Sequence, residues 1–159
     1  MTMPSVTRSD LPRSSRLHRR LRKGDFLDCF SVPSDLPPRQ AAEIITSFPA
    51  WAMALVRLRG LLVAPFGISR TGPEAADKVG IFPVEHDGDT EVIAGFNDRH
   101  LDFRVSIHSE AGRVSLATWV HRHNLGGRLY LAAILPFHIL IARNALARVG
   151  RASAARKFI

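Results

Sequence analysis

Over residues 79–121 apolar and polar residues alternate in four successive segments, and this alternation limits the possible folds more than any other feature of the chain. The segments are 79–84, 91–96, 101–108 and 113–121, separated by Asp87-Gly88, by Asn97 to His100, and by Ala111-Gly112. A loop of two or four residues at Ala111-Gly112 sets Leu101, Phe103, Val105 and Ile107 on one face with Val114, Leu116, Thr118 and Val120. A three-residue loop would oppose that row with Arg113, Ser115 and Trp119 and waste the burial of both strands. Val92, Ala94 and Phe96, then Val79 and Ile81, extend the row. The expectation is a four-strand antiparallel meander with one continuous apolar face. The opposite face is mixed and collects Phe82, Ile93, Gly95, Asp102, Arg104, Ser106, Trp119 and His121, with His100 and His123 at its ends.

The remaining elements must cover the apolar face. Residues 26–32 read as a first strand stopped by Pro33, and a short helix over 39–46 follows Pro37-Pro38. A second helix over 50–63 starts after Pro49 and is ended by Pro65 and Gly67, with a loop over 69–77 beyond it. Trp51, Leu55, Leu58 and Leu62 recur on it at helical spacing and predict a buried stripe, while Arg57 and Arg59 argue against a membrane span. A last helix over 127–149 is apolar nearly all round, with Gly150 just past its end. Its uncharged run, 129–142, is 14 residues long, short of the roughly 20 that a span needs, so a core helix is expected. Fold class is therefore α+β: an antiparallel sheet of about five strands against a long C-terminal helix, with two short helices between the first and second strands. A helix that covers a sheet needs only one apolar stripe. The surplus must meet the helix of Trp51, line a cavity, or contact a second copy in a homodimer. A kink at Pro136 would hold the layers apart near Phe137 and His138.

The net charge of +8 lies at the ends. Residues 1–24 hold seven Lys/Arg against Asp10 alone, and residues 143–159 hold five and no acid. These segments, 1–24 and 151–159, read as a disordered basic arm and a basic tail around one domain over 25–150, able to make weak contact with a polyanion. Deleting 1–24 is then expected to leave the melting temperature within a few degrees. The single cysteine, Cys29, forms no internal disulfide and suits a reducing compartment. No apolar run follows the early arginines, so no secretory signal is read and a cytoplasmic location is expected.

Four phrases carry a resemblance. They are Phe48-Pro49-Ala50-Trp51 with Leu55-Val56-Arg57-Leu58-Arg59; Asp98-Arg99-His100-Leu101-Asp102-Phe103-Arg104; His123-Asn124 with Gly127-Arg128-Leu129-Tyr130; and Pro136-Phe137-His138. In this order they resemble a bacterial family catalogued as domain of unknown function 2867, over about residues 25–150. The resemblance implies a likeness to the helix-grip superfamily, in which an antiparallel sheet wraps a long C-terminal helix and often encloses a cavity for an apolar ligand. Related domains can follow a nucleotide-binding domain, but no G-x-G-x-x-G follows any strand here, and no cofactor is expected.

Chemistry could reside in Asp98, His100, Asp102 and Arg104, which face His121 and His123 across a hairpin. A two-residue loop sets Asp102 opposite His121, and a four-residue loop sets His100 there. A carboxylate that orients an imidazole makes a general base, and Arg104 could hold an anion; the bland alternative is a solvated face of ion pairs. His121-x-His123 with His100 or Asp102 could ligate a metal, but the spacing is loose and no metal site is expected. Asn124, with Gly126 and Gly127, reads as a helix cap beside Arg128. Cys29 reads as packed, and no G-x-S-x-G is present. The leading expectation is a domain binding a small apolar molecule between sheet and last helix, contacted by Trp51, Arg104, His123, Asn124, Arg128, Tyr130, Ile134 and His138. The alternatives are an enzyme using His100, Asp102 and His121, and an interaction module docking by its basic ends. The residues alone do not decide whether there is catalysis.

Overall fold

Three of the four alternating segments, 91–96, 101–108 and 113–121, pair as expected in the computed structural model, which describes residues 4–66 and 74–159. β5 (Glu91–Asn97), β6 (Leu101–Glu110) and β7 (Arg113–Arg122) form the centre of an antiparallel sheet. Glu110 pairs with Arg113, so the hairpin loop has two residues and Asp102 stands opposite His121. Both loop residues have positive φ, 51° at Ala111 and 74° at Gly112; this is the turn whose twist matches that of the flanking strands. β2 (Phe26–Pro33) joins β7, and β4 (Phe82–Asp87) joins β5.

Two short strands raise the total from the expected five to seven. β1 (Thr7–Arg8) pairs with β2, and β3 (Lys78–Val79) pairs with β4, giving the order β1-β2-β7-β6-β5-β4-β3. Residues 79–84 are not one strand, because Gly80, at φ +58°, reverses the chain so that Val79 faces Phe82. That reversal turns Phe82 to the apolar face, where its ring meets Phe103 edge-on at 5.6 Å, and not to the mixed face. The loop expected over 69–77, and Gly67, fall partly or wholly outside the described residues.

α3 (Leu125–Arg156) is one helix of 32 residues, with Pro136 inside it. It is capped by Asn124, whose side-chain oxygen accepts the Gly127 N–H at 3.0 Å. Gly150 does not end it. The helix lies so close to β2 and the N-terminal segment that a Cβ at 150 would sit 2.9 Å from Val32 and 3.0 Å from Pro4. Leu131, Ala142, Ala145, Leu146 and Val149 are buried, the last four in the core built on Phe30, Val32, Val92, Ile107, Val114 and Leu116. By length and composition α3 could cross a membrane, a test that core helices also pass. Its Leu125, Leu129, Phe137 and Leu140 are exposed.

α1 (Pro38–Thr46) adds Ala41, Ala42 and Ile45 to the core. Its C-terminal carbonyls are capped by Arg148 of α3, which donates to Ile44 O at 2.7 Å and Ser47 O at 2.8 Å. Its Arg39 reaches Asp77 at 2.7 Å and Asp87 at 3.1 Å, tying α1 to the β4 edge. α2 (Ala50–Val63) follows and departs from expectation: Trp51, Leu58 and Leu62 are 40%, 51% and 63% exposed, not a buried stripe.

The basic arm is also not free. Thr7–Arg8 pair at the sheet edge, and the segment beyond them, through Leu11, Leu17 and Leu21, packs on the outer, mixed face, where Leu17 is buried against Cys29, Ala117 and Trp119. Glu91 points outward from β5 yet is buried, and its carboxylate accepts from Ser15 Oγ, from Arg16 N–H at 2.8 Å and from Ser106 Oγ. Burial pushes the Cys29 thiol up, as suits a packed cysteine. The C-terminal tail is helical to Arg156.

Deleting residues 1–24 is now expected to lower the melting temperature by more than about 10 °C, by uncovering apolar surface and stranding Glu91. Thermal denaturation of the truncated chain checks this; a change of a few degrees would contradict the packing. Ala111 holds a left-handed conformation that costs an L-residue about 1 kcal/mol. Ala111→Gly and Ala111→Asn are expected to raise the melting temperature by about 2–4 °C in the same assay.

Candidate functional site

The apolar sheet face is wider than its helical cover. α3 and α1 pack against part of it, and over the rest lies a half-open cavity of about 570 Å³. Its floor is the inner row of the sheet, including Phe26, Phe103, Val105, Leu116 and Val120. One wall is α3, through Tyr130, Ala133, Ile134, Phe137 and His138. The roof is α2, through Leu55, Val56, Leu58, Arg59 and Leu62. Leu58, Leu62 and Phe137 both line the cavity and stand exposed, so they form its rim. α2 is held to α3 by Arg59, whose Nε–H donates to the Tyr130 hydroxyl and whose guanidinium lies 5.4 Å from that ring's centre.

Polar groups on the lining are few: Arg59, Tyr130, Asp98, Thr118, Thr46 and His138. His138 is held from behind by Asp28 of β2, with Nε2 2.9 Å from Oδ2. The Asp28 side chain is 2% exposed, and its Oδ1 is buried without a hydrogen-bond partner. Phe26 packs against the imidazole edge-on, with ring centres 6.5 Å apart.

The side chains expected to cluster on the mixed face take different hydrogen-bond partners, although the rings of His121 and His123 meet edge-on at 5.3 Å. His121 Nδ1 lies 2.6 Å from Asp25, which also accepts from Trp119 Nε1 at 2.8 Å. His123 Nε2 lies 2.9 Å from Asp102, and His100 Nδ1 3.1 Å from the Asn124 amide. Arg104 is buried and reaches Glu85 at 3.3 Å and Asn97 at 3.0 Å. Among the described residues no group of three His, Cys, Asp or Glu could hold a metal ion.

Of the eight residues expected around a ligand, Tyr130, Ile134 and His138 line the cavity. Trp51 does not; it is part of the exposed surface of α2. Arg104 belongs to the outer face. His123, Asn124 and Arg128 line a separate, shallow depression of about 270 Å³ at the junction of β7 and α3. Sequence reasoning missed Arg59, Asp28 and Asp25. A carboxylate among the apolar residues of a first strand was the signal for Asp28, since such a group has to find a partner across the core.

This is an α+β domain defined by a seven-stranded antiparallel sheet, a long C-terminal helix and an apolar cavity between them. Over residues 20–145 it matches the family described as "Protein of unknown function (DUF2867)", and the chain belongs to that family. No curated protein and no solved structure matches it.

Burial pushes the Asp25 carboxyl up, but hydrogen bonds from His121, Trp119 and the Arg22 N–H outweigh it and hold it below the ordinary carboxylate value. A lowered folded-state value stabilises the fold above the unfolded value, near pH 4, and that stabilisation is lost as pH falls further. Asp25→Asn is therefore expected to melt below the parent at pH 5–7, with the gap closing as pH drops below about 4. Paired thermal melts from pH 2.5 to 7 measure this; a gap that widens in acid would be the wrong sign.

Proposed function

We propose that this domain binds a small apolar molecule in the cavity between the sheet, α2 and α3. What supports the reading is the cavity itself, about 570 Å³ with almost wholly apolar walls. That volume falls within the range of about 300–1,000 Å³ typical of small-molecule sites, and such sites pair apolar walls with a few placed polar groups. The exposed leucines of α2 support it further. A helix that holds Leu58 and Leu62 half in solvent at a cavity rim gains burial when an apolar guest fills the space beneath. The resemblance to helix-grip domains points the same way. The enzymatic alternative built on His100, Asp102 and His121 has less support, because each contacts a different partner.

The test uses 11-dansylaminoundecanoic acid, whose fluorescence rises on entering an apolar site, with the full-length protein. Saturable binding and a thermal shift are expected for the parent. Ile134→Trp fills the cavity from α3 and is expected to cut probe affinity at least tenfold while costing under about 1 kcal/mol. A packed wall would make the same insertion cost about 1–3 kcal/mol. A strongly destabilised variant, together with no saturable binding by the parent, would exclude the cavity as a site.

A further inference from the structure

We propose that Asp28 and His138 form a hydrogen-bond-accepting pair in the cavity wall, which selects apolar molecules carrying a strong hydroxyl donor, such as phenols and enols. This rests on the ligand-binding reading above and names the class of ligand.

A carboxylate oxygen only accepts hydrogen bonds, so the contact at 2.9 Å fixes the proton of the neutral ring on Nε2. Whatever the imidazole offers to a guest therefore comes from Nδ1, which has no hydrogen-bond partner among the described residues. The ring borders the cavity and its side chain keeps 23% of its exposure. In that tautomer Nδ1 presents a lone pair, so the group it recognises is a donor.

The environment of Asp28 strengthens the acceptor at Nδ1. Its carboxylate is buried and Oδ1 is unsatisfied, an arrangement that costs free energy unless a positive charge stands beside it. His138 is the group in contact with it. Two residues before Asp28 on β2 stands Phe26, whose ring meets the imidazole of His138, and in the opposed position on β7 is Thr118; no Lys or Arg is paired with Asp28 among the described residues. A guest O–H donates to Nδ1 with its O–H bond intact, and the Asp28 carboxylate on the far side of the ring, accepting from Nε2, strengthens Nδ1 as an acceptor. An ether or hydrocarbon of the same shape has no proton to give.

The experiment compares 4-nonylphenol with 4-nonylanisole, its methyl ether, by competition against the dansyl probe. The variants are Asp28→Asn, and the double variant Asp28→Asn/His138→Leu, which removes imidazole and carboxylate together and strands no charge. The parent is expected to bind the phenol at least tenfold more tightly than the ether. The double variant should bind both alike, with ether affinity within about twofold of the parent. Asp28→Asn should lie between them. Equal binding of both compounds by the parent overturns the pair while leaving the cavity as a site. A phenol preference that survives in the double variant overturns it too. Failure of the parent to bind the dansyl probe and both competitors removes the ligand-binding reading itself.

Discussion

A helix with its side chains is about 10 Å across, and seven strands spaced about 4.8 Å apart make a sheet of roughly 30 Å. The architecture follows from that mismatch. The inner face of β2 and β4–β7 is apolar apart from positions such as Asp28 and Thr118, and α3 alone cannot cover it. α1 closes a second part, fastened by Arg148 at one end and Arg39 at the other. What remains uncovered is the cavity, and α2 lies over it in contact with solvent. The cavity is thus where the cover runs out, which is why its floor and walls consist of the residues that elsewhere make the core.

The outer face poses the opposite problem. Its Glu91, Arg104, Ser106 and Ser115 are buried, and polar groups removed from water must find partners. For Glu91 the N-terminal segment supplies them, through Ser15 and the Arg16 N–H, and it also covers Trp119, Cys29 and Ala117; Ser106 donates to Glu91, Ser115 meets Ser31, and Arg104 reaches Glu85 and Asn97. Its arginines remain at the surface and lie on aromatic rings, Arg20 over Trp119 and Arg8 over Phe30. A segment rich in arginine can therefore be an integral layer of the fold, because the long side chains keep their charged ends in solvent while the leucines and backbone amides between them face the sheet.

The site shows how partial the legibility of a sequence is. Tyr130, Ile134 and His138 were recoverable because they repeat every four residues along a helix of known face. His121 lies on the mixed face that the alternation marks, and the loop at Ala111-Gly112 has two residues. Their partners were not readable. Asp25 and Asp28 lie about a hundred residues from His121 and His138 in the chain, and no local pattern links them. The stripe on α2 was legible as a stripe, but periodicity marks a face without saying whether anything packs on it.

By itself, the sequence determined whatever depends on neighbours in the chain. Alternation set the strands and their common face, the turn residues set the hairpins, and Asn124 set the start of α3. Tertiary structure decided what depends on the distance between layers. Gly150 reads locally as a stop, yet it is a contact point where α3 meets Val32 and Pro4, and the helix runs on. Gly80 reads as part of a strand and instead reverses it. The N-terminal arm reads as free by charge and is fixed by a buried carboxylate on a distant strand. The physical reason is common to all three: backbone propensity acts over a few residues, whereas burial and hydrogen-bond satisfaction are settled only when separate segments come within a few ångströms of each other.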